Sequence, residues 1–193
     1  MPRPKSFDQD AVLNQAVELF WERGYDGTSL ADLEAHLGLG RQSLYNTFGD
    51  KQALFLKALE RYRRDASQGP VAHLAAPGAG LAAIRKYFTA TVDALTATEH
   101  RRSCLLVNTM LERGSQDPEA LLRCNVARAD LERSLRRALG QARSRGEVAK
   151  DLDVEATATL LVVQGYGLAV LSKSGASAAD LHAAVEALLA RLE

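Results

Sequence analysis

The sequence predicts an all-α protein of about nine helices. Apolar residues recur at helical spacing, i, i+3, i+4 and i+7, through most of the 193-residue chain. No segment alternates apolar and polar residues over several positions between turn signals, as a half-buried strand would. Gly114, Gly146 and Gly175 punctuate the later periodic segments, as helix stop signals do.

In the first segment Leu13, Ala16, Val17 and Phe20 share one face; Asp8 or Ser6 caps its start and Gly24 ends it. Ser29 followed three residues on by Asp32 fits a capping box, and the short helix after it turns Leu30, Leu33 and Leu37 inward. Gly38-Leu39-Gly40 breaks that helix. A second short helix runs from about Arg41 to Phe48, Gly49 ends it, and Asp50 caps a longer one to about Ala66. Residues 67–80 are rich in Gly, Pro and Ala and read as a loop and hinge. Helical periods then cover Leu81–Thr98, Arg102–Glu112, Pro118–Arg145, Val154–Lys173 and Ala178–Leu192.

Composition excludes several classes. An apolar fraction of 47% and a charged fraction of 25% describe a globular chain, not a disordered or collagen-like one. Lys and Arg (24) balance Asp and Glu (24), so this is no strongly basic coat for nucleic acid, although a local basic face stays possible. Cys104 and Cys124 cannot build a disulfide framework, and no CxxC zinc spacing occurs. The opening MPRPKSFDQD lacks a signal-peptide apolar stretch. The most apolar stretch, Val154 to Leu171, is interrupted by Glu155, Thr157, Thr159 and Gln164, so no membrane span is expected. The reading is a reduced, cytoplasmic protein.

Catalysis finds no support. His36, His73, His100 and His182 stand apart from one another, and HExxH, GxSxG, GxxxxGK[ST] and GxGxxG are all absent. No enzyme, metal or cofactor is expected.

DNA binding fits better. Two short helices joined by a Gly-containing turn form the pattern of a helix-turn-helix, whose second helix enters the major groove. In Arg41–Phe48, Leu44 and Phe48 face inward. Arg41, Gln42, Ser43, Tyr45, Asn46 and Thr47 remain outward, offering an Arg for guanine, a Gln for adenine, and hydroxyls and an amide for phosphates. Residues 1–51 carry five Lys/Arg against eight Asp/Glu, a net of −3. Arg3 and Lys5 nevertheless form a basic arm, and Arg41 and Lys51 bracket the second helix. An ordinary helical hairpin with a polar solvent face is the competing reading. It corresponds to a ligand-binding or adaptor protein that does not bind DNA.

Residues 11–62 resemble the N-terminal domain of TetR/AcrR transcriptional regulators. The matching features are LF-x-x-x-GY-x-x-TS, the Leu-Gly-Leu turn, LY-x-x-F and G-D-K-x-x-L. The resemblance implies a DNA-binding domain at 1–51, an effector-binding and dimerisation domain at 52–193, and a bridging helix at 50–66. It implies that Thr28 caps the second helix and touches phosphate. Arg41 and Gln42 would read bases with Ser43 near them; Tyr45, Asn46 and Lys51 would hold phosphates. Gly40 stands where the family often has Ser, and Asn46 where it often has His.

The resemblance also implies an effector pocket after the hinge. Polar residues on otherwise apolar helices there are Tyr87, Thr91, Asn108, Thr109, Glu112, Asn125 and Arg128. The pocket is assigned to Tyr87, Thr91, Cys104, Asn108, Glu112 and Cys124. Either cysteine would sense oxidants or electrophiles if its thiol pKa were lowered, and Arg101 and Arg102 lie beside Cys104 in sequence. Val154–Lys173 has two apolar stripes: Val154, Ala158, Leu161, Gly165, Leu168, and Leu160, Gln164, Gly167, Leu171. Such a helix needs cover on two sides. Leu181, Val185, Leu188 and Leu192 give the last helix a similar stripe. A homodimer interface is therefore expected at Leu161, Gly165, Leu168, Leu181, Val185 and Leu188. Together these readings describe a homodimeric repressor on a palindromic double-stranded operator, released by a small molecule.

Overall fold

The computed structural model describes residues 7–97 and 103–192. The basic arm of Arg3 and Lys5, and Arg101 and Arg102 beside Cys104, lie outside the described residues. Among the described residues there are ten α-helices and no strand. They are α1 Gln9–Arg23, α2 Leu30–Leu37, α3 Arg41–Phe48, α4 Lys51–Gln68, α5 Ala72–Ala75, α6 Leu81–Thr96, α7 Leu105–Arg113, α8 Pro118–Ser144, α9 Val154–Lys173 and α10 Ala178–Leu189. The helix beyond the nine expected is α5, a single turn inside the 67–80 segment, where Leu74 plugs into the core.

Caps set the helix starts. Asp8, Asp50, Asp117, Asp153 and Ser177 each accept a first-turn amide. At α2 the capping box is complete: Ser29 Oγ accepts from Asp32 N at 3.1 Å, and Asp32 Oδ2 accepts from Ser29 N at 2.8 Å. Gly38 closes α2 at φ +62, a left-handed conformation that glycine adopts without a Cβ penalty.

Buried apolar side chains fall into two clusters. One joins α1 to α4 around Phe20, Leu33, Leu44 and Phe55, and takes in Leu105 and Ala120 from α7 and α8. The other lies among α6, α8, α9 and α10 around Ile84, Phe88, Leu139, Leu161 and Val185. The α4 helix contributes Leu54 to Leu59 to the first cluster, and its C-terminal half runs out against α5 and α8.

By length and mean hydropathy α9 reaches the range of a membrane-crossing helix. One face of it packs against α6 and α8, with Ala158, Leu161, Val162 and Leu168 in the second cluster. The opposite face is exposed within the single chain.

Candidate nucleic-acid interface

The α3 helix presents two faces. Leu44 and Phe48 are buried, while Arg41, Gln42, Ser43, Tyr45 and Asn46 are exposed. No side chain caps its N-terminus, because Gly40 has none to offer. Arg41 Nε donates to Glu34 Oε1 of α2 at 3.0 Å, and Gln42 Nε2 donates to Asn46 Oδ1 at 2.9 Å. The base-reading candidates are thus held in place before any DNA arrives, by contacts they can exchange at the surface.

Thr28 and Lys51 sit deeper than the exposed α3 residues. Thr28 is fully buried, and its hydroxyl donates to the Gly24 carbonyl at 2.7 Å. Within the chain alone that hydroxyl is turned inward, and the cap of α2 is Ser29 rather than Thr28. Lys51 lies half-buried at the start of α4, its Nζ 4.0 Å from the centre of the Tyr25 ring. Burial pulls its pKa below the ordinary lysine value.

The turn after α1 is gripped from α7. The Glu112 carboxylate accepts Tyr25 N at 3.1 Å and Asp26 N at 2.7 Å. Arg113 pairs with Asp26 at 3.0 Å and lies 4.6 Å from the centre of the Tyr25 ring. Further back, Trp21 Nε1 donates to the Ser103 carbonyl at 2.7 Å, and the Ser103 hydroxyl donates to the Ala169 carbonyl at 2.6 Å. Ser103 holds φ +62, which is strained for a residue with a Cβ, and it ties α1 to α9.

A cavity of about 390 Å³ lies between the two clusters. Its lining includes Tyr87, Thr91 and Cys104, three of the expected pocket residues. The other three lie elsewhere. Asn108 and Glu112 border a surface groove between α1, α7 and α9, where Asn108 accepts from Lys173 at 3.1 Å and Glu112 serves the α1–α2 turn. Cys124 is buried behind the cavity wall, and burial pushes its thiol up to about 12. That thiol is the opposite of the lowered one a sensor needs. Thr109 is also buried, its hydroxyl spent on the Leu105 carbonyl, and Arg128 pairs with Glu132 at 2.8 Å. The sequence reading missed Trp21, Tyr62, Leu131, Ser103 and Tyr166, which line the cavity. Trp21 and Tyr62 come from α1 and α4, ahead of the hinge, and are apolar enough to read as core.

The expected interface residues are largely core. Leu161, Leu168, Leu181 and Val185 are 0–1% exposed within the single chain. Gly165 is buried against α6, where an added Cβ would sit 3.4 Å from the Tyr87 hydroxyl. Leu188 is half-buried against the same cluster. Of the second stripe, Leu160 (51% exposed), Gly167 and Leu171 (50%) are uncovered and Gln164 is half-buried; Val163 (61%) and Val170 (46%), which that stripe did not include, extend the exposed apolar face.

This geometry defines a helix-turn-helix protein with a partly open cavity in the adjoining helices. Residues 12–58 match the family model described as bacterial regulatory proteins, tetR family, and residues 80–188 match the tetracyclin repressor-like C-terminal domain. Over its whole length the chain is 37% identical to the uncharacterized HTH-type transcriptional regulator YezE of Bacillus subtilis strain 168, also matched over its whole length. It is 34% identical to the HTH-type transcriptional repressor ComR of Escherichia coli K12, over 91% of this chain and 84% of that one. Among solved structures, CifR, a TetR family transcriptional regulator seen as a cysteine mutant with 26-bp double-strand operator DNA, is 31% identical. The match has a TM-score of 0.85 and covers 99% of this chain and 100% of that one. The chain belongs to the TetR family. It is a DNA-binding transcriptional regulator, and its relatives are regulators rather than enzymes.

Proposed function

We propose that the protein is a homodimeric repressor that sits on a palindromic operator in the cytoplasm and leaves it when a small molecule enters the cavity. The observation that carries this reading is the division of α3 into a buried Leu44/Phe48 edge and a free face of Arg41, Gln42, Ser43, Tyr45 and Asn46. An α-helix fits the major groove, and those side chains suit base edges and phosphates. The ComR relative is a repressor, and the CifR relative is bound to operator DNA. Both names support repression by operator binding.

The dimer reading rests on the stripe Leu160, Val163, Gly167, Val170 and Leu171. Its three- and four-residue spacing is that of a helix–helix seam, and such a run of exposed apolar residues marks an interaction surface. Two copies related by a two-fold axis would place two α3 helices on half-sites about 34–36 Å apart, one turn of DNA. The division into a DNA-binding part at 1–51, a bridging helix and an effector and dimerisation part at 52–193 belongs to the same reading. Two apolar clusters support a division in two, with Leu54 to Leu59 of the bridging helix, Leu105 and Ala120 packing on the DNA-binding side.

Allosteric release requires an effector with different affinity for the two head positions. Cavity residues come from α4 (Tyr62), from α1 (Trp21) and from the segment leading into α7 (Ser103), so occupancy bears on every element that holds the head. A gel shift with the DNA upstream of its own gene tests the reading. A retarded band of dimer stoichiometry supports it. No binding at low salt favours the adaptor alternative.

A further inference from the structure

The chemistry of the effector can be read from the cavity wall, given that the cavity is the effector site. We propose that the cavity takes a neutral, largely apolar, ring-containing molecule that offers an oxygen acceptor to tyrosine hydroxyls, and that it rejects ions.

The volume, about 390 Å³, is within the range of small-molecule sites. The walls are aromatic and aliphatic: Trp21, Tyr62, Tyr87, Leu106, Leu131 and Tyr166. Trp21 and Tyr62 meet edge to face with ring centres 5.0 Å apart, a surface on which a flat ring packs well.

The charged groups at the cavity are spent on one another. Arg63 pairs with Glu60 at 2.7 Å and with Asp130 at 2.7 Å. Asp65 faces Arg61 at 3.4 Å, and Glu18 stands on the exposed side of α1. An ion entering this wall would lose its hydration and meet no free counter-charge, a cost that apolar contact does not repay.

The hydroxyl inventory gives the polar half of the answer. Thr91 donates its proton to the Tyr87 carbonyl at 2.7 Å, and Ser103 donates to the Ala169 carbonyl. The Tyr62 hydroxyl is engaged by the Cys104 side chain and the Leu105 backbone, so the strong O–H donors that remain are the phenols of Tyr87 and Tyr166. Tyr166 has no hydrogen-bond partner among the described residues. All three phenols are protonated at neutral pH, and burial raises their pKa values further, Tyr166 to about 12. A carbonyl or ether oxygen satisfies such a donor, whereas a hydrocarbon leaves it unmade.

Four probes of one shape test this by calorimetry: 2-acetylnaphthalene, 2-isopropylnaphthalene, 2-naphthoate and 2-naphthylmethylammonium. The full-length protein should bind the ketone at least tenfold more tightly than either ion, and severalfold more tightly than the hydrocarbon. Quenching of Trp21, the one tryptophan in the chain, should report binding at the cavity or the adjoining surface groove, both of which it borders. Tyr166 lines only the cavity and separates the two. Tyr166→Phe removes one oxygen and leaves the packing intact. It should erase the ketone's advantage without changing hydrocarbon affinity. An ion that binds as tightly as the ketone, or no binding by any probe, overturns the proposal. The two readings separate in a gel shift with each probe added. Selective ketone binding without operator release sustains the ligand class and sinks the effector role. Release by a tightly bound ion does the reverse.

Discussion

The Glu112 carboxylate, on the last turn of α7, accepts the Asp26 amide at 2.7 Å in the turn that leads to α2. The same carboxylate takes the Tyr25 amide, and Arg113 beside it pairs with the Asp26 side chain. At its other end α7 starts from Ser103 and Cys104, which line the cavity. One rigid helix of nine residues therefore joins the cavity wall to the base of the helix-turn-helix.

Glu112→Ala should expose this link. Two charge-assisted hydrogen bonds to backbone amides disappear, and a loss of about 2 kcal/mol of unfolding free energy is expected for a half-buried carboxylate. Operator affinity should change with it, because the turn ahead of α2 loses its anchor, while the preferred sequence should not. Urea unfolding followed by circular dichroism checks the first point. A variant as stable as the wild type would show that the contact is incidental.

The two stripes of α9 should behave differently under substitution. Gly167 faces open space, and a Cβ added there meets nothing within the chain. Gly167→Leu should keep the fold and block close approach of a partner helix, giving a folded monomer by sedimentation velocity. Leu168→Arg puts a charge at a 1% exposed core position and should unfold the protomer instead. A dimeric Gly167→Leu protein would place the interface on another surface.

Cys124 should be chemically silent. With its thiol raised to about 12, the thiolate fraction at pH 8 is about one part in ten thousand. In a Cys104→Ser background, a disulfide reagent such as 5,5′-dithiobis(2-nitrobenzoate) should release colour only after guanidinium is added. Rapid reaction of the native protein would contradict the burial seen here.

Acid should weaken the head through its capping box. Hydrogen bonds from the Ser29 side chain and backbone, with Arg23 nearby, hold the Asp32 carboxyl below its ordinary value of 3.8. A folded pKa below the unfolded one means stability that is present above 3.8 and lost as pH falls through the folded value. Asp32→Asn should therefore be less stable than wild type at neutral pH, and the gap should close well below pH 3.8. A gap that persists in acid would assign the effect to shape rather than charge.

The helix-turn-helix was legible because its signals are local. The Ser29–Asp32 box, the Gly38 turn and the Leu44/Phe48 spacing each act within a few residues. The cavity was only half legible, because Trp21 and Tyr62 reach it from helices remote in sequence and their aromatic rings look like core in any one-dimensional pattern. On α9 the periodicity gave two apolar stripes, but it assigned Leu161, Gly165 and Leu168 to a partner where the chain's own core buries them, and it left Val163 and Val170 out of the exposed face. Tyr87 decides the orientation: its hydroxyl fills the space beside Gly165, turning that stripe inward and leaving Leu160, Val163 and Leu171 out. Glu112 was noticed as a polar residue on an apolar helix. Its backbone partners are 86 and 87 residues away, and no spacing rule finds them.

The central claim is that α3 reads sequence, and selection of binding sites from random double-stranded DNA tests it most directly. The wild-type protein should enrich a palindrome. Tyr45→Phe should weaken all sites alike, as loss of a phosphate contact does. Gln42→Ala should relax one symmetric base position per half-site, about 1–3 kcal/mol of discrimination in each, while low-salt non-specific binding survives. If Arg41 contacts a base, Arg41→Ala will relax a second position; if it contacts phosphate, the slope of log affinity against log salt will fall by about one per contact instead. The same enriched motif from wild type, Gln42→Ala and Arg41→Ala would contradict the claim that this helix reads the operator.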